Sequence, residues 1–368
     1  MYFNRLLFFQ ILFSFLRGIF VLLNRKNNPT MAGLISGAEH SGKTFQCKRE
    51  IFNALAGSDD TVFVVTADDS YDGFVKELGG IVAEFPKTNP FEMATHYGLS
   101  EPDAYSKSVM LEALFSSMVE KKKDSINFTD NEKLILKDGD DEEDTIEKEI
   151  QILCESCSEF NVPEDILSFI RERKVQLPFV SSKIKNLSVE IPSPVPNTRL
   201  ILYKVKNNTQ AVLLLDYLWN RQIDLKKENR SAWLFVDPVD FLFDTDQEAA
   251  FLIDYAKKMN AMENVLTTVV QSSVKIFTDS SSYRYEDYLQ VLGYFKLLSH
   301  GPIERKKYMN LLNIPGTLLN YMASGELGKG VILTQSSNYS FDDNLGLEEG
   351  YNGSDFYDLF KDDKENSL

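Results

Sequence analysis

The sequence predicts an α/β fold, a mostly parallel sheet flanked by helices and carrying a helical insertion, and three observations predict it. Short apolar runs rich in β-branched residues alternate with stretches of helical length, the pattern of parallel strands buried on both faces. One of these runs, Met31 to Ser36, passes straight into a glycine-rich loop and then a helix from about Thr44 to Ala56. Between the early and late alternating parts, residues 101–190 are polar and helical in character.

The elements follow in order. Thr61 to Thr66 is β-branched and ends at Asp68-Asp69, as a parallel strand ends on the ligand edge of a sheet. A helix over Tyr71 to Leu78, then Gly79-Gly80, then a short strand over Ile81 to Phe85 complete the first alternation. The insertion holds a basic cluster, Lys121-Lys122-Lys123, and an acidic run from Asp138 to Glu149 that reads as a solvated loop. Ile191 to Pro196 carries alternate prolines and is a stiff connector back to the sheet. Arg199 to Val205, Ala232 to Asp237 and Val265 to Gln271 are strand-like and separated by helical stretches. Tyr294 to Ser299 and Gly330 to Thr334 either complete the sheet or form an edge hairpin reaching Phe341. The sheet domain therefore spans 31–100 and 191–345, and 346–368 is an acidic tail without periodicity.

The first thirty residues stand apart. Leu6 to Leu23 is almost wholly apolar, broken by Gln10, Ser14, Arg17 and Gly18 and flanked by Arg5, Arg25 and Lys26. Its length suits a membrane span or an interfacial helix in contact with lipid. Arg17 near its centre is costly in lipid, and the third reading is a helix packed on the sheet domain. No small-residue cleavage site marks a removed leader.

Composition narrows the classes. At 368 residues with 43% hydrophobic and 26% charged residues, the chain has globular composition. Lys and Arg number 39 against 55 Asp and Glu, a net charge of −16 that opposes a broad nucleic-acid surface. DNA contact is left only a narrow pore inside an oligomer. The three cysteines, Cys47, Cys154 and Cys157, are too few and odd in number for a disulfide framework and fit a reducing compartment. Cys154 and Cys157 form a lone C-x-x-C with no second pair and no neighbouring His cluster, and read as two thiols on a helix.

The chemistry sits in Gly37-Ala38-Glu39-His40-Ser41-Gly42-Lys43-Thr44, which fits G-x-x-x-x-G-K-[ST]. Glycines let successive backbone N–H groups turn inward around a phosphate, and the following helix presents its positive end to the same charge. In that geometry Gly37 and Gly42 permit the tight path, Lys43 reaches the β- and γ-phosphate oxygens, and Thr44 offers its hydroxyl to Mg²⁺. The expected ligands are ATP or GTP, with Mg²⁺. Trp233-Leu234-Phe235-Val236-Asp237 is an apolar strand ending in a carboxylate suited to hold a Mg²⁺-bound water, which makes Asp237 the partner of the loop. Gln271, ending the next strand, either senses the γ-phosphate and orients water or is an ordinary polar strand end.

A wider set of segments carries a family resemblance. It comprises Gly33 through Thr44 with Lys48-Arg49-Glu50 behind, Val64 to Tyr71, Leu78-Gly79-Gly80, Asn89-Pro90, Leu218-Trp219-Asn220-Arg221, the Asp237 strand, Thr268 to Gln271, and Gly328 to Ile332. In this order and spacing the chain resembles the motor half of the type IV secretion and conjugative-transfer ATPases of the VirB energiser type, within the HerA/FtsK-like group of RecA-fold motors. The resemblance implies a RecA-like P-loop NTPase core, ATP and Mg²⁺ as ligands, and ATP hydrolysis that energises conjugative DNA transfer or secretion. It also implies a hexamer, membrane components of that machinery as partners, and a cytoplasmic place at the membrane periphery. Relatives precede the motor with a long N-terminal domain, so the chain resembles a truncated or split member.

Two departures qualify the resemblance. Relatives follow the strand Asp with Glu, the water-activating residue, whereas Pro238 stands here and cannot act as a base. Asp240, or Asp68 or Asp69 at the tip of the adjacent strand, is then the candidate carboxylate. Relatives also carry an Arg-Lys pair where this chain has Lys257-Lys258-Met259-Asn260, and lysine lacks the bidentate fork of an arginine finger. Arg284 and Arg305 are the remaining candidates for that part. Alternatives are a hydrolysis-impaired ATP-binding structural subunit of the same machinery and a HerA/FtsK-like DNA translocase.

Overall fold

The computed structural model describes residues 14–16, 19–21, 25–27, 29–86, 104–118, 198–271, 277, 283–323, 325 and 328–342. The Lys121 and Asp138 clusters, Cys154 and Cys157, Asn89-Pro90, the Ile191 connector and the 346–368 tail lie outside them.

A short antiparallel pair, β1 (Ser14–Leu16) and β2 (Ile19–Val21), comes first. The first half of the main unit is β3 (Gly33–Ser36), α1 (Lys43–Gly57), β4 (Thr61–Thr66), α2 (Asp72–Glu77) and β5 (Ile81–Ala83). Then come α3 (Ala104–Met118), β6 (Leu200–Lys204), α4 (Asn208–Lys227), β7 (Ala232–Asp237), α5 (Asp246–Ala261) and β8 (Val265–Val270). The last part is α6 (Tyr283–Gln290), β9 (Tyr294–Leu297), α7 (Pro302–Leu312), α8 (Leu319–Ala323), β10 (Lys329–Thr334) and β11 (Asn338–Asp342).

Among the described residues the main sheet has nine strands, in the order β11-β10-β9-β3-β8-β7-β4-β6-β5. From β9 to β5 every neighbouring pair is parallel, and β10 and β11 add an antiparallel hairpin at the β9 edge. Both readings of the late runs are thus realised at once: the Tyr294 run completes the parallel sheet and the Gly330 run forms the hairpin that includes Phe341. The sheet is buried on both sides, and the two-residue period of a strand divides its side chains cleanly. Phe63, Val65, Leu234, Val236 and Leu266 join the core under α3, α4, α5 and α6. Val62, Val64, Trp233, Phe235 and Val265 meet Cys47, Ile51 and Ala54 of α1 and Phe74 and Val75 of α2 on the other face.

Local sequence chemistry sets the helix starts. Asn207 caps α4 by accepting from the Gln210 N–H at 2.9 Å, and Thr245 caps α5 by accepting from the Glu248 N–H at 3.1 Å. Thr245 Oγ1 also donates to Glu248 Oε2 at 2.9 Å, so Thr245 and Glu248 stiffen the first turn together. Helix α3 lies in the segment read as an insertion, and its Met110, Leu111, Ala113 and Leu114 enter the main core. Lys107 of this helix donates to Asp216 of α4 at 2.7 Å, a buried ion pair that fixes how the helix sits.

The helical reading of Leu6 to Leu23 is corrected where that segment is described. Ser14 pairs with Val21, Phe15 with Phe20 and Leu16 with Ile19 as strands. The β-branched Ile19 and Val21 and aromatic Phe15 and Phe20 favour a pleated backbone, and Gly18 between them disfavours a helix. Among the described residues, no helix is long and apolar enough to cross a membrane.

Candidate nucleotide site

Strand order brings the chemistry to one edge. Between β3, which runs into the glycine-rich loop, and β7, which ends in Asp237, lies β8, which ends beside Gln271. The loop, Asp237, Gln271 and the Asp68-Asp69 turn after β4 therefore line the carboxyl edge of neighbouring parallel strands, where α/β sheets hold ligands.

The loop is built to wrap an anion. Gly42 has φ +90°, a left-handed backbone that costs glycine nothing, and it delivers the chain into α1. A Cβ at Gly37 would lie 2.3 Å from Ser41 Oγ and 2.9 Å from Leu298 Cβ, so only glycine fits there. The Ala38 N–H donates to Ser299 O at 2.6 Å, tying the loop to the end of β9. Ser41 Oγ is buried with no hydrogen-bond partner among the described residues. A buried, unsatisfied hydroxyl is costly, and a phosphate oxygen is the partner this cradle fits. Lys43, only 4% exposed, donates to Gly37 O at 3.0 Å and Ala38 O at 2.7 Å, which keeps its ammonium inside the loop. Burial lowers its pKa, while Asp237, Asp240 and Glu39 oppose that shift. Glu39 and His40 are exposed at the loop's crest and face each other at 3.6 Å.

Thr44 Oγ1 faces Asp237 Oδ2 at 3.5 Å, a pair of hard oxygen donors from the helix start and the strand end. Among the described residues no group of three or more His, Cys, Asp or Glu side chains gathers to hold a metal. That donor set suits Mg²⁺, which keeps several waters and takes few protein ligands, better than an ion needing a protein cage. Asp237 is almost fully buried, and burial pushes its carboxyl up to about 6. Hydrogen bonds from Tyr71 and Gln271 pull it down, the Asp68 charge pushes it up and the Lys43 charge pulls it down.

The other expected residues fall into place around this pair. Gln271 Nε2 donates to Asp237 Oδ1 at 2.6 Å, and its backbone N–H donates to Asp240 Oδ2 at 2.7 Å. Asp68 folds back in a turn, accepting from the Ser70 N–H at 2.9 Å, with its charge felt at Asp237. Asp69 is held by Lys204 at 2.5 Å, and the same ammonium holds Asp72 at 2.7 Å. Lys257 and Lys258 lie near the end of α5, at the edge where β8 begins and opposite the loop. Lys258 pairs with Asp254 at 3.3 Å. Asn260 accepts from the Met31 and Ala32 N–H groups at 2.9 and 2.8 Å, clamping the entry to β3. Arg284 lies 3.8 Å from Asp287 on α6, and the Arg305 Nε is buried on α7 without a hydrogen-bond partner among the described residues.

Three features of the site escape sequence reasoning. Tyr71 is fully buried and donates to Asp237 Oδ2 at 2.6 Å. Ser36, just ahead of the loop, meets His300 Nε2 at 3.0 Å and Tyr308 Oη at 2.8 Å, and Tyr308 meets Tyr285 at 2.8 Å. Burial holds His300 down to about 4, so the ring is neutral at physiological pH. On the buried side of α1, Glu50 accepts from Arg25 and from Tyr294, each at 3.0 Å, and pairs with Lys296 at 3.2 Å. Arg25 also bonds Thr267 and the Met31 and Leu266 carbonyls, so the segment before β3 is anchored in the sheet.

No family model matches the sequence, and no curated protein does. Solved structures do. The structure of VirB4 of Thermoanaerobacter pseudethanolicus superposes with a TM-score of 0.65 at 18% identity, over 90% of this chain and 95% of that one. The bacterial conjugative coupling protein TrwBdeltaN70 aligns at 0.49 and 11% identity over 90% and 87% of the two chains. The genome packaging NTPase B204 of Sulfolobus turreted icosahedral virus 2, in complex with ATP-gammaS, aligns at 0.41 and 9% over 85% and 98%. The likeness to VirB4 shows a shared fold, the mostly parallel sheet flanked by helices that the sequence predicts.

Proposed function

We propose that this chain is an ATP-binding motor that hydrolyses ATP·Mg²⁺ to energise conjugative DNA transfer or type IV secretion. The observation that carries the reading is the Thr44 hydroxyl facing the Asp237 carboxylate at 3.5 Å beside Lys43 in its loop. The sequence resemblance to the VirB energiser ATPases and the fold shared with VirB4 give that site its context.

Each side chain then has a task. The loop N–H groups and Lys43 bind the polyphosphate, and the Ser41 hydroxyl gains a partner there. Thr44 and Asp237 would hold Mg²⁺, which when bound would offset the charge of the polyphosphate. Gln271 keeps Asp237 and Asp240 in register and lies where it can orient water. Water attacks the γ-phosphorus, the bond to the β–γ bridging oxygen breaks, and a carboxylate takes the proton. Pro238 removes the usual base. Asp68 is the substitute this reading favours, because its charge acts on Asp237 while Asp69 is committed to Lys204, and Asp240 is the alternative. The motor works as a hexamer at the cytoplasmic periphery of the membrane, with membrane components of the machinery as partners. DNA contact is confined by the −16 charge.

Pro238 also favours a second reading, an ATP-gated structural subunit that binds without turnover. ATP turnover by the purified chain, beside Lys43→Ala, Asp68→Asn, Asp69→Asn and Asp240→Asn, separates the two. The motor reading expects turnover that Lys43→Ala abolishes, with Asp68→Asn the most damaging aspartate change. Tight binding with turnover no higher than Lys43→Ala would leave the structural subunit.

A further inference from the structure

We infer that Tyr71 is a positioning residue for the cation site, holding the Asp237 carboxylate in place and tying the Asp68 turn to it. The inference rests on the nucleotide reading above and deepens it.

Four observations converge on Tyr71. The side chain is fully buried, and its hydroxyl donates at 2.6 Å to Asp237 Oδ2, the same oxygen that Thr44 faces at 3.5 Å. Its ring lies under the Lys48 ammonium at 5.8 Å, so α1 grips it from the side that also carries Lys43 and Thr44. The residues flanking it, Asp69 and Asp72, are both held by Lys204 on β6, at 2.5 and 2.7 Å. Asp68, three residues before it, is folded into the same turn by the Ser70 N–H at 2.9 Å. The turn is therefore fastened at two points, to β6 through Lys204 and to the end of β7 through Tyr71.

The chemistry of that contact matches a cation site. A carboxylate oxygen has two acceptor positions, so Oδ2 can take the Tyr71 hydrogen bond and still face a metal. With Gln271 on Oδ1 at 2.6 Å, both oxygens are oriented before a cation arrives. Losing the Tyr71 bond frees the carboxylate to rotate, and a metal then has to order it. A hydrogen bond to a charged group contributes about 1.5 kcal/mol, which corresponds to roughly tenfold in affinity.

The test is Tyr71→Phe, which deletes one oxygen and keeps the ring, in the full chain. The measurement is equilibrium binding of a fluorescent ATP analogue during Mg²⁺ titration and again in EDTA, with a thermal melt of each sample. The expected result is a Mg²⁺ midpoint about tenfold higher, with binding in EDTA unchanged. Ile51→Val trims the apolar cluster on α1 that Tyr71 belongs to and removes no polar group, and its Mg²⁺ midpoint is expected to match wild type. An unchanged midpoint in Tyr71→Phe, an equal loss of binding with and without Mg²⁺, or an equal shift in Ile51→Val would overturn the inference. Absence of Mg²⁺-dependent binding in the wild type would instead remove the nucleotide reading itself.

Discussion

Replacing Asp237 by Asn should make the nucleotide-free protein more stable. The carboxyl titrates at about 6 in the folded chain against an ordinary 3.8, because burial penalises its charge more than Tyr71, Gln271 and Lys43 offset it. A raised carboxyl pKa means that the folded state holds the proton more tightly than the unfolded state. Stability from this group is fully present below the unfolded pKa and is lost as pH rises through the folded one. At about 1.4 kcal/mol per pH unit, the ionised carboxylate costs about 3 kcal/mol at pH 8 and about 1 kcal/mol at pH 4.5. Asn keeps an acceptor for Gln271, and its NH₂ faces the Tyr71 and Thr44 hydroxyls, which can both accept. Urea unfolding in EDTA at the two pH values is the assay. The variant's advantage should grow by about 2 kcal/mol from pH 4.5 to pH 8. A variant less stable than wild type at pH 8, or an advantage independent of pH, would refute the reasoning.

Other expectations follow from the same geometry. Gly37→Ala forces a Cβ to within 2.3 Å of Ser41 Oγ and should weaken ATP binding at least ~10-fold by equilibrium titration, with the circular dichroism spectrum retained. Arg25→Ala removes one of two cations from buried Glu50 and should cost about 3 kcal/mol in urea unfolding, the scale for breaking a buried ion pair. A cost within error of zero would mean that residues 25–27 are not part of the core.

What could be read from the sequence is what local chemistry writes. The apolar runs at Thr61, Ala232 and Val265 are strands because both faces of a parallel sheet are buried, so their apolar character is continuous. The loop is visible because left-handed Gly42 and crowded Gly37 admit only glycine. Asp237 is visible as the polar end of an apolar strand. Long-range partners leave no such mark. Tyr71 reaches Asp237 across 166 positions, and Ser36 reaches His300 across 264, so neither contact has a periodicity or a spacing. Arg25 looked like the positive flank of an apolar segment, yet it is a buried ligand of Glu50. Within the apolar run before it, Ser14–Leu16 and Ile19–Val21 are strands because hydrophobicity alone does not separate helix from strand, and their β-branched and aromatic residues favour the latter.

The most direct measurement of the central claim is equilibrium binding of ATP to the purified chain, with Mg²⁺ and in EDTA, beside Lys43→Ala and Thr44→Ala. The account predicts that wild type binds ATP and that Mg²⁺ tightens the binding. Lys43→Ala should lose most of the affinity in either condition, and Thr44→Ala should lose only the Mg²⁺-dependent part. Wild-type chain that fails to bind ATP, or binding that both variants retain in full, would contradict it.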